Sequence, residues 1–329
     1  MSNLETIDSH FILFQGYTVF MQSEKPESYA VLVGGANLDI LGFSQEALIH
    51  RDSNPGRVRF HAGGVVRNIA ENLSRLGIST ELIIATGSGI DGQYIRENCM
   101  AAGINIRHAL TLKEEISSTY MAIMDSDGDM SIALSDMSTS TYITAEYLQC
   151  KKECITRADI IVADTNLNPE ALEYLTSGFP NSRFCIDPVS VTKAKKIIPI
   201  LSRIHTLKMN RLEAESICGF QIKSPVEFKQ AGMFLLNKGV QHIFITSGRN
   251  SIYWVNQEDS GVFTPPTVPV INATGAGDAF TAGVVFSTLQ KYSIDETLKF
   301  STALAGLTIS GESAVNSEVS LKKVRGFPG

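Results

Sequence analysis

From residue 29 onward, the chain alternates between continuous apolar runs and segments in which apolar side chains recur every three or four residues. The runs 30–33, 82–85 and 160–163 are typical of strands that are buried on both faces of a parallel sheet. The segment 66–76 has the apolar stripe of an amphipathic helix. Repeated strand–helix units with short connections predict one α/β domain with a mainly parallel sheet.

Two regions break this rhythm because their apolar and polar residues alternate one by one. Residues 57–60 and the flanks of the acidic turn 125–129 have the period of half-exposed strands. They predict a small β appendage formed by residues of about 40–62 and 117–136. The acidic turn lacks the downstream ligand spacing of a calcium loop, so it is predicted to be a solvated turn.

Composition then narrows the classes of function. The 329 residues allow one large domain or two smaller ones, and the net charge of −6 argues against a nucleic-acid-binding surface. No apolar run reaches the roughly 20 residues of a membrane span. The five cysteines form no Cys-x-x-Cys pair, which is typical of a reduced, cytoplasmic protein. Residues 1–28 are predicted to be an extension that either packs on the body or contacts a partner.

The most informative stretch is Thr274-Gly275-Ala276-Gly277-Asp278, which precedes a predicted helix at 279–292. Small side chains at a helix N-terminus leave backbone N–H groups free to hold an anion such as phosphate. A carboxylate repels phosphate, so Asp278 makes sense there if it takes a proton from a hydroxyl that attacks the phosphate. The alternative is an ordinary N-cap, in which Asp or Thr satisfies the first N–H groups.

Other polar residues fall repeatedly at the ends of predicted strands, which share one edge of a parallel sheet and so favour a site. Two of them also have structural interpretations: Asp187-Pro188 as a strand-ending turn, and Asn210 with Glu213 as a capping box. The members of this set are Asn37, Asp39, Asp164, Asn166, Asp187, Asn210, Glu213, Ser247, Gly248 and Asp278.

Three motifs in order resemble those of the ribokinase-like (PfkB) carbohydrate and nucleoside kinases, over about residues 29–320. They are the segment 62–70 with its Gly63-Gly64 pair, Asn210-x-x-Glu213, and 274–278. The resemblance implies a ribokinase-like three-layer α/β/α domain over 29–329, with a mainly parallel central sheet. The β appendage would be a small β-sheet lid that closes over the substrate and excludes water.

Within the family, the segments 52–56, 143–148, 187–190 and 204–215 resemble the pseudouridine kinases. This implies ATP-dependent phosphorylation of the 5′-hydroxyl of a nucleoside, with magnesium as cofactor. The alternatives are another sugar or nucleoside kinase, acting on ribose, adenosine or inosine, and a non-catalytic nucleoside sensor. The partner is then a small molecule, with no nucleic acid and no membrane, and a homodimer through the lid is a candidate assembly.

The resemblance also implies roles for single residues. Asp278 would be the general base, and the N–H groups of Gly275, Ala276 and Gly277 would stabilise the transferring phosphoryl group. Asp39 would bind the ribose hydroxyls. The other residues implied around the substrate are Asn37, Gly63, Gly64, Asn68, Thr119 and Asn166.

On the nucleotide side, Asn210 and Glu213 would act on the phosphates and on magnesium, Glu213 through water. Thr246, Ser247 and Gly248 would lie beside the nucleotide, and the segment 302–316 would form the wall of the adenine site. Asn272 stands where the family usually has an acid that helps to hold a monovalent cation. It keeps an oxygen ligand without the charge, so it is a candidate potassium ligand.

Overall fold

The computed structural model describes residues 28–127, 129–248 and 250–327, so the prediction of an N-terminal extension falls, except for Ser28, outside the described residues. The strands in chain order are β1 (Tyr29–Val33), β2 (Asn37–Ser44), β3 (Gly56–Gly63), β4 (Ser79–Ile83), β5 (Ala85–Gly87), β6 (Leu110–Leu112), β7 (Thr119–Met124), β8 (Met130–Asp136), β9 (Ile160–Asp164), β10 (Phe184–Asp187), β11 (Thr206–Asn210), β12 (His242–Ser247), β13 (Ser251–Asn256) and β14 (Ser260–Phe263).

The helices are α1 (Val65–Arg75), α2 (Ile90–Ala101), α3 (Ala145–Gln149), α4 (Lys152–Thr156), α5 (Pro169–Gly178), α6 (Val191–Ala194), α7 (Arg211–Cys218), α8 (Pro225–Asn237), α9 (Ala276–Gln290), α10 (Ile294–Ile309) and α11 (Leu321–Arg325). Short 3-10 helices cover Ser138–Tyr142 and Lys195–Arg203. Among the described residues, none of the helices combines the length and apolarity that crossing a membrane requires.

The central sheet has eight strands in the order β14-β13-β12-β11-β10-β9-β1-β4. The strands from β12 to β4 are parallel to one another, which confirms the predicted mainly parallel sheet. β13 and β14 extend one edge in antiparallel fashion. This hairpin was not predicted from the sequence.

Strand β1 shows why its sequence is apolar throughout. Val31 and Val33 belong to one hydrophobic cluster, which also includes residues of α5, α7 and α8. Ala30 and Leu32 belong to a second cluster, which includes residues of α1, α2, α9 and α10. Alternate side chains of the strand therefore enter two separate cores, and helices cover both faces of the sheet in three layers.

A second sheet has four strands in the order β3-β2-β7-β8. Its outer pairs are antiparallel, and the central pair β2–β7 is parallel. β2 begins at Asn37, so two of the predicted substrate residues, Asn37 and Asp39, lie within this sheet.

Helix boundaries differ from the sequence pattern at two places. The pattern over 145–157 predicts one helix, whereas the structure has α3 and α4 there, because Lys151 departs from helical geometry with φ −105° and ψ 10°. The helix predicted over 279–292 begins earlier, at Ala276, and the small residues before it form its first turn.

Candidate active site

The polar ends of the parallel strands meet at one edge of the central sheet. Asp187 on β10 is in register with Asp164 on β9, and Asn210 on β11 with Thr246 on β12. Gly34 and Gly35 follow β1 at the same edge, and the Gly35 N–H donates to Asp164 at 3.1 Å. The edge predicted from the sequence therefore exists and carries several carboxylates close to one another.

Helix α9 points its N-terminus at this edge and begins without a side-chain cap among the described residues. Its N-cap is Gly275, in the left-handed conformation with φ 81°, and a Cβ there would overlap the carbonyl oxygen of Ala314. Glycine is therefore required for both conformation and space. The ordinary N-cap that the sequence left as an alternative, with Asp or Thr as the cap, is absent from the described structure, so the first turn can receive an anion.

Asp278 lies in that first turn. Its carboxylate accepts a hydrogen bond from Asn68 Nδ2 at 2.8 Å. Burial, reinforced by the negative charge of Asp187, raises the pKa of Asp278 to about 7. A carboxylate with this pKa is ionised for much of the time at neutral pH and is a much stronger base than an exposed one.

Asn68 is held in place by its own helix, α1. Its side-chain oxygen accepts from Arg67 Nη1 at 3.1 Å, and Asn72 donates to its backbone carbonyl at 2.9 Å. Arg67 in turn forms a buried ion pair with Glu71 at 2.5 Å. These contacts fix the side chain so that its N–H group faces Asp278. The resemblance placed Asn68 beside the sugar, and the structure adds this contact with the predicted base.

Beneath the first turn of α9 lies a buried lysine, Lys208, that the sequence motifs did not place in the site. Lys208 Nζ is 3.3 Å from Asp187 Oδ2, which also accepts from Thr281 Oγ1 at 3.2 Å. A Cβ at Gly277 would lie 2.7 Å from this ammonium group. The signal in the sequence is a lysine between the apolar residues Leu207 and Met209 of a predicted strand, since such a charge requires a partner when it is buried.

The predicted sugar residues gather where β2, β3 and the start of α1 meet. Asn37 Nδ2 donates to Asp39 Oδ1 at 2.5 Å, and burial raises the pKa of Asp39 to about 6. A Cβ at Gly63 would overlap the Asp39 carboxylate. Gly64 has φ 108°, and a Cβ there would lie 2.4 Å from the carbonyl oxygen of Gly35. This corner therefore presents a carboxylate close to bare backbone, an arrangement that can accept hydrogen bonds from hydroxyl groups.

Asn166 lies in the loop between β9 and α5. Its Nδ2 donates to Asp164 at 3.0 Å, and its Oδ1 accepts from Lys193 Nζ at 2.6 Å. Burial lowers the pKa of Lys193. Thr119 begins β7 in register with Leu38, and its hydroxyl donates to the carbonyl of Ser117 at 3.0 Å.

At the start of α7, Asn210 and Glu213 form a complete capping box. Asn210 Oδ1 accepts from the Glu213 N–H at 2.9 Å, and Glu213 Oε2 accepts from the Asn210 N–H at 2.8 Å. The capping interpretation of this motif is therefore confirmed. Burial, with a contribution from Asp187, raises the pKa of Glu213. The free lone pairs of this carboxylate are those that a ligand could use.

The remaining predicted residues lie toward the antiparallel edge of the sheet. The Thr246 hydroxyl donates to the Met209 carbonyl at 3.4 Å, and Gly248 has φ 57° in the turn that follows Ser247. Asn272 braces its loop: its Nδ2 donates to the Glu312 carbonyl at 2.9 Å, and its Oδ1 accepts from the Thr274 N–H at 2.9 Å. Within the described residues, no hydrogen bond joins this group to Asp278.

A cleft of about 670 Å³ lies beside α10. Thr302, the first residue of the predicted adenine wall, lines it together with Phe263, Lys299 and Ala303. None of the residues predicted to act on the phosphates is among the residues that line this cleft.

The chain has clear relatives. Pseudouridine kinase from Escherichia coli strain K12 is 36% identical over 301 residues, which cover 91% of this chain and 96% of that protein. An uncharacterized sugar kinase from the same strain is 32% identical over 89% of this chain and 82% of its own length. The solved structure of ribokinase from Thermotoga maritima matches with a TM-score of 0.80 over 92% of this chain and 99% of that one, at 18% identity.

The match to ribokinase confirms the ribokinase-like fold predicted from the motifs, namely a mainly parallel sheet between helices with an additional sheet. The model of the pfkB family of carbohydrate kinases matches residues 27–320, almost the whole described part. The chain therefore belongs to the pfkB family of carbohydrate kinases.

Proposed function

We propose that this protein is an ATP-dependent kinase that phosphorylates the 5′-hydroxyl of pseudouridine to give pseudouridine 5′-phosphate. The observation that carries the proposal is Asp278, a carboxylate with a raised pKa at the uncapped N-terminus of α9. A base and an anion site are thus adjacent, as in-line phosphoryl transfer requires.

Asp278 would accept the proton of the attacking hydroxyl. The hydrogen bond from Asn68 orients the carboxylate, and the buried surroundings keep it a stronger base than a solvated aspartate. The N–H groups of Gly275, Ala276 and Gly277 would stabilise the negative charge that develops on the transferring phosphoryl group. Lys208 adds positive charge below this turn, because its ammonium group would lie 2.7 Å from a Cβ at Gly277.

Glu213 is the residue that fits magnesium best, because it offers a buried carboxylate whose pKa is raised in the absence of a cation. Bound magnesium supplies positive charge to the phosphate oxygens. Asn210 shares this corner, and Thr246, Ser247 and Gly248 would lie beside the nucleotide. Asn272 would supply one oxygen to a potassium ion in addition to its hydrogen bond with Thr274.

Asp39 would accept hydrogen bonds from the ribose hydroxyls, and the bare backbone at Gly63 and Gly64 would let the sugar approach. Asn37, Asn166 and Thr119 would complete the substrate side. The strand pair β2–β7 joins Asp39 to the second sheet, so closure of that sheet as a lid would carry the sugar-binding carboxylate with it.

The second sheet also supports a homodimer through the lid. Phe60, Met121 and Leu134 lie in one row across β3, β7 and β8. They are 53%, 41% and 68% exposed. An apolar row of this exposure on the face opposite Asp39 favours burial against a second copy.

The identity of the substrate rests on the relative that is 36% identical over nearly its whole length. The second candidate, another sugar or nucleoside kinase of the family, is favoured by the sugar kinase that is 32% identical. An ADP-release assay with ATP and magnesium over pseudouridine, uridine, adenosine, inosine and ribose separates them. Faster turnover of ribose or adenosine than of pseudouridine would overturn the proposal. Absence of turnover with every compound would favour the nucleoside sensor.

A further inference from the structure

A second group of ligand-type side chains lies away from the residues described above. Glu81 is on β4, His108 precedes β6 and Cys154 is on α4. A carboxylate oxygen, an imidazole nitrogen and the thiol sulfur of these residues all lie within 4.8 Å of one another. We propose that Glu81, His108 and Cys154 form a zinc site.

The register of the sheet explains why these side chains meet. Val31 on β1 is paired with Glu81 on β4, so Glu81 faces the same side of the sheet as Val31 and Tyr29. The side chains on that side of the sheet pack into the hydrophobic cluster that includes Cys154. The backbone N–H of His108 donates to Glu81 Oε1 at 3.3 Å, which brings the third residue against the same carboxylate.

The burial of Glu81 is the feature that points to a cation. Its side chain has 0% exposure, and Oε2 has no hydrogen-bond partner in the described part of the chain. Arg107 Nε lies 3.1 Å from Oε2, but its side chain is 57% exposed and reaches in from the surface. A fully buried carboxylate whose second oxygen is compensated only by an ion pair from the surface keeps part of its desolvation penalty, which a metal ion would offset.

The donor set selects the metal. Thiolate, imidazole and carboxylate together suit zinc, whereas magnesium and calcium take oxygen ligands. Tetrahedral zinc requires ligand atoms roughly 3.3–3.8 Å apart, so the three side chains, which lie within 4.8 Å of one another, would draw closer together when the ion binds. Tyr29 would support the site, because its hydroxyl lies 3.2 Å from Cys154 Sγ and can donate to a thiolate.

Binding would exchange one positive charge for another. Zinc would displace the Arg107 guanidinium and release the thiol proton to water, which makes the affinity rise with pH. The bound ion would connect the strand β4, the loop before β6 and the helix α4.

Cobalt(II) provides a spectroscopic probe of this site in the purified full-length chain. We expect one cobalt per chain, with a sulfur-to-cobalt charge-transfer band that zinc abolishes and magnesium does not. Cys154→Ser should remove the band, and His108→Gln should weaken binding at least tenfold. Cys150→Ser is the matched control, because this exposed thiol lies four residues away and should leave the band unchanged.

Arg107→Ala separates the zinc site from an ion pair with only a structural role. If Arg107 competes with the metal, its removal should tighten cobalt binding about tenfold. Zinc should then raise the melting temperature by about 5 °C at a hundredfold excess over Kd. If the ion pair is the whole function of Glu81, neither wild type nor Arg107→Ala will show the band. That result, or a band that survives Cys154→Ser, overturns the proposal.

Discussion

Helices α7 and α9 both begin at the carboxyl edge of the sheet, and they begin in opposite ways. At α7, Asn210 and Glu213 satisfy the first turn with a reciprocal pair of hydrogen bonds. At α9, Gly275 is the N-cap and no described side chain caps the turn. A helix start that is capped by its own side chains has fewer free N–H groups for an anion, whereas an open one keeps its N–H groups and its positive end. At one sheet edge, α9 can therefore hold an anion on its backbone, whereas α7 has the Glu213 carboxylate to offer to a cation.

The largest test of this comparison removes the base at the open helix start. Asp278→Asn keeps the shape and the contact with Asn68 but removes the charge and the proton acceptor. We expect kcat to fall about 10³- to 10⁴-fold, while ATP binding measured by calorimetry stays within about threefold. A variant that retained activity within about tenfold would show that Asp278 is not the general base.

The next test closes the open helix start sterically. In Gly275→Ala, the new Cβ meets the Ala314 carbonyl at φ 81°, so the first turn must shift. Loss of oriented N–H groups should lower kcat about 10²-fold. Gly219→Ala is the control: this C-cap of α7 has φ 80° with open space around its Cβ position. It should cost about 1 kcal/mol of stability and leave kcat unchanged.

The pH dependence of the reaction tests the raised pKa at α9. Asp278 must be ionised to accept a proton, and burial raises its pKa to about 7. In the free enzyme, kcat/KM should therefore rise about tenfold per pH unit below 7 and level off above it. A profile that is flat from pH 5 to pH 8 would contradict the assignment, provided that the melting temperature shows the enzyme folded throughout.

A smaller effect is expected at the capped helix. Glu213→Gln keeps an oxygen that can accept from the Asn210 N–H, so α7 should remain intact. If Glu213 also serves magnesium, the magnesium concentration for half-maximal rate should rise about tenfold, because the carboxylate charge is lost. A change in melting temperature with no change in magnesium dependence would assign Glu213 to capping alone.

The sequence predicted those parts of the site that depend on local pattern. Apolar runs located β1, β4 and β9, and short motifs located Gly63, Gly64 and Gly275. It could not predict contacts between distant residues, such as the hydrogen bond from Asn68 to Asp278 or the ion pair between Lys208 and Asp187. These contacts depend on which side chains the folded sheet brings together. A lysine in a predicted strand indicates that a partner is needed but not which residue it is.

The antiparallel hairpin β13–β14 was missed for a related reason. β13 has an apolar run at 252–255 like those of the central strands, but a run of this kind does not show which strand it pairs with or in which direction, and the short strand β14 has no such run. Glu81 shows the converse case. It comes directly before the apolar run 82–85, where the sequence alone would allow it to be exposed, yet its side chain is fully buried. The fold brings Arg107, His108 and Cys154 to it from other parts of the chain, which the sequence does not show.

The raised pKa of Asp278 has a thermodynamic consequence beyond catalysis. Between about pH 4 and pH 7 the native chain holds a proton at Asp278 that the unfolded chain has already released. Proton linkage therefore makes this residue's contribution to folding stability fall as pH rises through that window. At neutral pH the free energy of unfolding is therefore lower than it would be with an aspartate of ordinary pKa at this position. Asp278→Asn should accordingly melt a few degrees higher than wild type at pH 8 and lose that advantage near pH 4, which calorimetry can measure.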